Sequence, residues 1–166
     1  MREHKIYLIL ISSLFLFVMS CGYYSFKGAL PADIKTIAIP LFINNTPNSG
    51  VGEDMTNSLL EAFISDNSLL VVDEDKADLV LSGTINSIRV KPFSVQAGEN
   101  VSESQVVVSV RVKCRNTKTE KVLFDKSLSE YGLLDVTAGL DERNEAIAEA
   151  LELISGKIVD MTLSGW

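Results

Sequence analysis

Between residues 104 and 116 the chain alternates, and that alternation limits the fold more than any other stretch. Val106, Val108, Val110, Val112 and Cys114 share one parity; Gln105, Ser109, Arg111, Lys113 and Arg115 share the other. Successive side chains of a strand point to opposite faces, so this segment is a long strand with one buried and one polar face. A sheet of that kind needs a covering layer on its apolar side only. Residues 79–93 form a second long strand. Its apolar parity changes from Leu79, Leu81 and Ile85 to Ile88 and Val90, which implies a bulge near Asn86. Residues 121–131 read as a third strand, with Val122, Phe124 and Leu128 on one face.

The covering layer comes from two amphipathic helices. In 53–66, Met55, Leu59, Ala62 and Phe63 fall on one stripe flanked by Val51 and Leu60, and Glu53 and Asp54 complement the dipole of the first turn. From Asp141, a plausible N-cap, to about Leu163, apolar residues recur at Ile147, Leu151, Ile154, Ile158 and Met161. Residues 34–39 alternate until Pro40 and read as a strand. Residues 44–52 read as a loop, 69–72 as a short strand and 132–140 as a connection. Asp73, Glu74, Asp75 and Asp78 lack the ligand spacing and turn glycine of a calcium loop and read as a solvated turn. The expected fold is α+β: a two-layer sandwich with two helices on one face of a mixed sheet of four to five strands. Its first strand–helix–strand unit suits a parallel crossover.

The N-terminus has a different character. Arg2 and Lys5 precede an uncharged run from Ile6 to Met19, and Ser20-Cys21 follows. This is the pattern of a signal peptide, too short to span a bilayer that needs about 20 apolar residues. Val18-Met19-Ser20-Cys21 looks like a bacterial lipobox, with Met19 departing from the usual residue. Residues 1–20 are then a lipoprotein signal, 21–31 a lipidated lead and 32–166 a single α+β domain. Cys21 would carry a diacylglycerol and a further acyl chain, enough for stable anchoring. The alternative is an ordinary cleaved signal in which Cys21 is incidental.

Removing residues 1–20 takes away Arg2, Glu3 and Lys5 and moves the net charge from −7 to about −8. Such a domain lacks the basic footprint of nucleic-acid binding. The only histidine, His4, leaves with the signal, and Cys114 is then the one free thiol. A lone cysteine in an alternating apolar run suits the core. No histidine base and no metal-ligand cluster remain, so the expectation is a protein that is not an enzyme, with no cofactor and no metal. One feature stands against the acidic background. Arg89 and Lys91 share a parity on one strand; Arg111, Lys113 and Arg115 share one on the next. Two readings stand: a solvated face that discourages strand pairing, or a contact surface for an anionic ligand.

Cys21-Gly22-Tyr23-Tyr24-Ser25-Phe26-Lys27-Gly28, Leu30-Pro31, Ile34 through Phe42, Asn45-Thr46, Glu53-Asp54-Met55-Thr56 and Ala77 through Ile85 resemble the LptE-type lipopolysaccharide-assembly lipoproteins. The resemblance covers nearly the whole mature chain and is most specific in its first third. It implies two helices on a four-stranded sheet. It also implies a lipid-anchored protein on the periplasmic face of the outer membrane that supports assembly of the LptD β-barrel, plugs it and helps deliver lipopolysaccharide to the outer leaflet. Arg89, Lys91, Arg111, Lys113 and Arg115 match the family's lipopolysaccharide-contacting basic residues by type and strand. Ile37-Ala38-Ile39-Pro40 and Ala77 through Gly83 are also similar to periplasmic lipoproteins of the CsgG and LpoB type, which form secretion pores or activate peptidoglycan synthases. A pore former needs amphipathic segments able to become membrane strands, and the 92–104 link is too short and polar for that.

Overall fold

Pro40 divides the chain that runs beside the first long strand of the sheet. The computed structural model of the chain describes residues 31, 33–92, 103–135 and 137–164. Cys21, the signal segment, the lead up to residue 30 and most of the 94–103 link lie outside these residues. The elements are β1 (Thr36–Ala38), β2 (Ile43–Asn44), α1 (Val51–Asp66), β3 (Leu70–Val71), a 3-10 turn (Glu74–Lys76), β4 (Leu79–Pro92), β5 (Glu103–Asn116), β6 (Val122–Asp135) and α2 (Leu140–Ser164). β1 runs parallel to β4 at Leu79 and Val80, and after Pro40 the chain rejoins the same strand as β2, opposite Thr84 and Ile85. Proline gives a ladder no N–H, so the chain beside β4 is divided into two short strands, β1 and β2. Between them Phe42 turns inward, 2% exposed, with its ring over Gly83, where any side chain would collide with it.

The strand order is β3-β1-β4-β5-β6 with β2 on β4. β1 lies parallel to both β3 and β4, and the β4–β5–β6 meander is antiparallel. The α+β sandwich is as expected, with six strands among the described residues; the extra strand is β2, in a stretch read partly as loop. β1, α1 and β3 make the expected parallel crossover.

Both helices lie on the apolar face. Met55, Leu59 and Phe63 of α1 and Ile147, Leu151, Ile154 and Ile158 of α2 are buried against Leu79, Leu81, Ile85 and the even-numbered side chains of β5. The bulge falls at Asn86, between Ile85↔Val110 and Ser87↔Ser109, and it keeps Ile88 and Val90 on the face of Ile85. Cys114 faces the same core and is free; burial pushes its thiol up to about 12, so it is inert as a nucleophile.

Five expectations are corrected. β6 extends to Asp135, so Gly132 is a strand residue rather than part of a connection. It pairs with Val106 and packs under the α2 backbone at Ala146, a close approach that only glycine permits. A register shift opposite Cys114 and Arg115 leaves Leu123 as an extra residue, so Val122 turns to the outer face, 41% exposed, away from Phe124 and Leu128. Asp141 does not cap α2. Gly139 precedes its first residue, and the Gly139 N–H donates to the Glu142 carboxylate at 2.9 Å, one half of a capping box. α1 starts two residues early, at Val51, after Gly50 in a left-handed conformation (φ +84°).

The fifth correction concerns Asp78. Asp73, Glu74 and Asp75 are exposed, as a solvated turn requires, but Asp78 is not part of that surface. Its carboxylate accepts the Lys35 and Thr36 N–H groups at 2.9 and 3.1 Å, the Thr36 hydroxyl at 3.0 Å and the Lys118 ammonium at 2.7 Å. Thr117 donates its N–H to the Asp78 carbonyl at 2.9 Å. One side chain thereby ties the start of β1, the start of β4 and the β5–β6 turn. Lys118 first, then the backbone donors, hold the Asp78 carboxyl far below the usual carboxylate range.

Candidate functional site

The outer face of the meander is built by register. Because the Asn86 bulge shifts the phase of β4, Arg89 and Lys91 emerge opposite the helices, on the same face as Arg111, Lys113 and Arg115 of β5. The cross-strand rows are Lys91–Gln105–Leu133, Arg89–Val107–Tyr131, Ser87–Ser109–Ser129, Thr84–Arg111–Ser127, Ser82–Lys113–Asp125 and Val80–Arg115–Val122. Arg89, Lys91, Arg111, Lys113 and Arg115 therefore do share one face.

They do not form one cluster. The Arg89 and Arg111 rows are four residues apart on β5, about 13 Å at about 3.3 Å per residue. Between them runs a hydroxyl row, with Ser109 and Ser129 bonded at 2.7 Å. The two groups also differ in electrostatics. Arg111 is held bidentately by Asp125, at 2.8 and 2.9 Å. This bond raises the Arg111 pKa and lowers that of Asp125, which Lys113 across the strand lowers further. Arg115 donates to Glu120 at 2.6 Å. Arg89 and Lys91 are exposed, and no carboxylate stands in either of their rows.

Sequence reasoning missed the β6 side of this face. Tyr131, 42% exposed, lies in the Arg89 row, and Leu133, 51% exposed, in the Lys91 row. The signal was there: Ser127, Ser129, Tyr131 and Leu133 continue one parity, but Gly132 broke the strand pattern. The opposite side has the other sign. An open groove of about 480 Å³ between β6 and α2 carries Asp135, Glu142, Glu145 and Glu149 and would repel an anion. Among the described residues no group of three His, Cys, Asp or Glu side chains is placed to hold a metal.

An α+β sandwich of this topology recurs in solved structures. Protein XCC0632 from Xanthomonas campestris is similar at 13% identity and a TM-score of 0.60, over 84% of this chain and 91% of that one. The PelC dodecamer subunit from Paraburkholderia phytofirmans is similar at 14% identity and 0.57, over 83% and 94%. A minor lipoprotein from Acinetobacter baumannii is similar at 11% identity and 0.52, over 77% and 91%. At these identities the likeness establishes the fold alone. No curated protein sequence matches the chain. The family is decided by sequence: the model of the lipopolysaccharide-assembly family LptE matches residues 34–162, and the chain belongs to that family.

Proposed function

We propose that this chain acts as the LptE-type outer-membrane lipoprotein that supports assembly of an LptD-type β-barrel, plugs it and helps deliver lipopolysaccharide to the outer leaflet. Cys21 is its acylated N-terminus and holds it on the periplasmic face. The role is one of binding and placement, without catalysis or cofactor. The observation that carries the reading beyond family membership is the basic outer face in an acidic domain. Its sign is opposite to that of the molecule as a whole, and it matches the phosphates and acidic sugars of lipopolysaccharide.

The test is a pull-down of the tagged chain from detergent-solubilised outer membrane. A large β-barrel protein at about 1:1 is the expected partner, carrying lipopolysaccharide with it. Capture of a peptidoglycan synthase without a barrel would overturn the proposal.

A further inference from the structure

β6 closes one side of the sheet with an edge of 14 residues, Val122–Asp135, paired only with β5. The other side is stepped: β2 and β3 have two residues each, and Pro40 separates β2 from β1. A long bare edge invites pairing with another chain, and proteins blunt such edges with lysines, prolines, bulges or a covering segment. The middle of β6 carries a single lysine, Lys126, and the other devices sit at its ends. The register shift at Leu123 disturbs one end. At the other, the Leu133 N–H points out of the sheet and donates to Glu149 of α2 at 3.3 Å. Backbone groups alternate along a strand, so Asp125, Ser127 and Ser129, of the same parity, also turn their N–H and C=O groups away from β5. All three are exposed, and among the described residues no backbone hydrogen bond beyond the β5 ladder reaches them.

We infer that this edge receives an extended segment of the barrel partner, added to β6 as a further strand, and that a lysine or arginine of the segment enters the groove between β6 and α2. The inference rests on the proposed partnership with a β-barrel and names the element of this chain that meets it. The outward N–H and C=O groups of Asp125, Ser127 and Ser129 supply the ladder, which is blind to sequence. The groove supplies the selectivity. Its walls are apolar at Leu134, Ala138 and Ala146, and its rim carries Asp135, Glu142, Glu145 and Glu149. A methylene stem on apolar walls with a cationic head among carboxylates describes a lysine or arginine side chain. Asp135 and Glu142 already accept the N–H groups of Thr137 and Gly139, so Glu145 and Glu149 are the carboxylates placed for the head. Glu149 holds the Leu133 N–H until a carbonyl of the added strand takes its place, and its carboxylate then turns to the cation. A second copy of the chain is a poorer occupant, since each copy has a net charge of −7 and repels its like.

The experiment compares the free mature chain with its detergent-extracted complex by hydrogen exchange resolved to single amides. In the complex the Ser127 and Ser129 amides should exchange at least about tenfold more slowly than in the free chain, while those of Leu128 and Glu130, which face β5, are protected in both. A second measurement uses Ser127→Pro with Ser129→Pro. Proline at these positions removes only outward donors, so the β5 ladder survives, and a thermal melt checks that the variant is folded. The barrel recovered with it in the pull-down should fall about tenfold. Glu145→Gln with Glu149→Gln should lower recovery about threefold and make the remainder less sensitive to salt. Unchanged exchange at Ser127 and Ser129 in an intact barrel complex, or full recovery of the barrel by the folded proline variant, would overturn the added strand while leaving the barrel partnership standing. Full recovery by the glutamine variant at every salt concentration would overturn the cation in the groove. Protection of the same amides in a dimer of this chain without a barrel would overturn the choice of occupant. Failure of the unaltered chain to capture any barrel would overturn both this inference and the proposed function.

Discussion

Replacing Gly132 by alanine tests the packing of α2 on the sheet with a single methyl group. The Gly132 backbone is outside the left-handed region, so alanine suffers no conformational strain there. By itself the change should stabilise by about 0.4–1 kcal/mol, through the smaller entropy of the unfolded chain. Packing opposes this. A Cβ at 132 would lie 2.7 Å from both the carbonyl carbon and the Cα of Ala146, and closer still to its oxygen. Ordinary contact requires a withdrawal of about 1 Å, and the obstructing atoms are helix backbone that no rotamer change can move. The N-terminal half of α2 must lift from β6, loosening Ala146 and Ile147 and stretching the Leu133 N–H bond to Glu149, now 3.3 Å. Overpacking of this kind costs about 1–3 kcal/mol, and rigid backbone places it near the upper end, so a net loss of about 2 kcal/mol is expected. Urea titration with an unchanged slope would register this as a midpoint lower by about 1 M. Adding Ala146→Gly should not rescue the variant, because the overlap is with backbone and not with the Ala146 methyl. A net cost under about 0.5 kcal/mol, or rescue by Ala146→Gly, would refute the argument.

Leu151→Ala and Ile154→Ala should each cost about 2–5 kcal/mol in denaturant titration, since both side chains are buried in the core. Asp78→Ala should cost about 1.5–3 kcal/mol at pH 7, because it abandons the Lys35 and Thr36 N–H groups together. The pH dependence follows from the depressed folded-state value. The Asp78 contribution is fully present above the unfolded carboxylate value of about 3.9 and is lost as the pH falls toward the lower folded value. Asp78→Asn should therefore show a shallower loss of stability than the natural chain as the pH is lowered below about 4, followed by urea midpoints. Mass spectrometry of the mature protein should find Cys21 as an acylated N-terminus; an intact Met1 would remove the anchor.

The long strands were legible because alternation is a local property. Val106 through Cys114 sets one face, and the phase change after Ile85 located the Asn86 bulge from sequence alone. The β6 bulge was not legible, because Val122, Leu123 and Phe124 are all apolar and parity cannot show which of them is extra. Gly132 read as a loop for the same reason that it matters: it lacks the side chain α2 would meet. Asp78 read as one more acidic turn residue, since its donors come from Lys35, Thr36 and Lys118, some forty residues away on either side. At the site, the common face of the five basic residues followed from parity. Their division into a paired group and a group beside Tyr131 and Leu133 depends on the positions of Asp125 and Glu120 and on the register of β6, which no local pattern encodes.

Photo-crosslinking in living cells tests the central claim most directly, with the reactive group placed at Gln105 or Ser129 on the outer sheet face and at Glu152 on the exposed side of α2. The sheet positions should trap lipopolysaccharide, and one or more of the three should trap a large outer-membrane β-barrel at about 1:1 with this chain. Adducts only with a peptidoglycan synthase, or only with further copies of the chain in a ring, would contradict a role in lipopolysaccharide delivery.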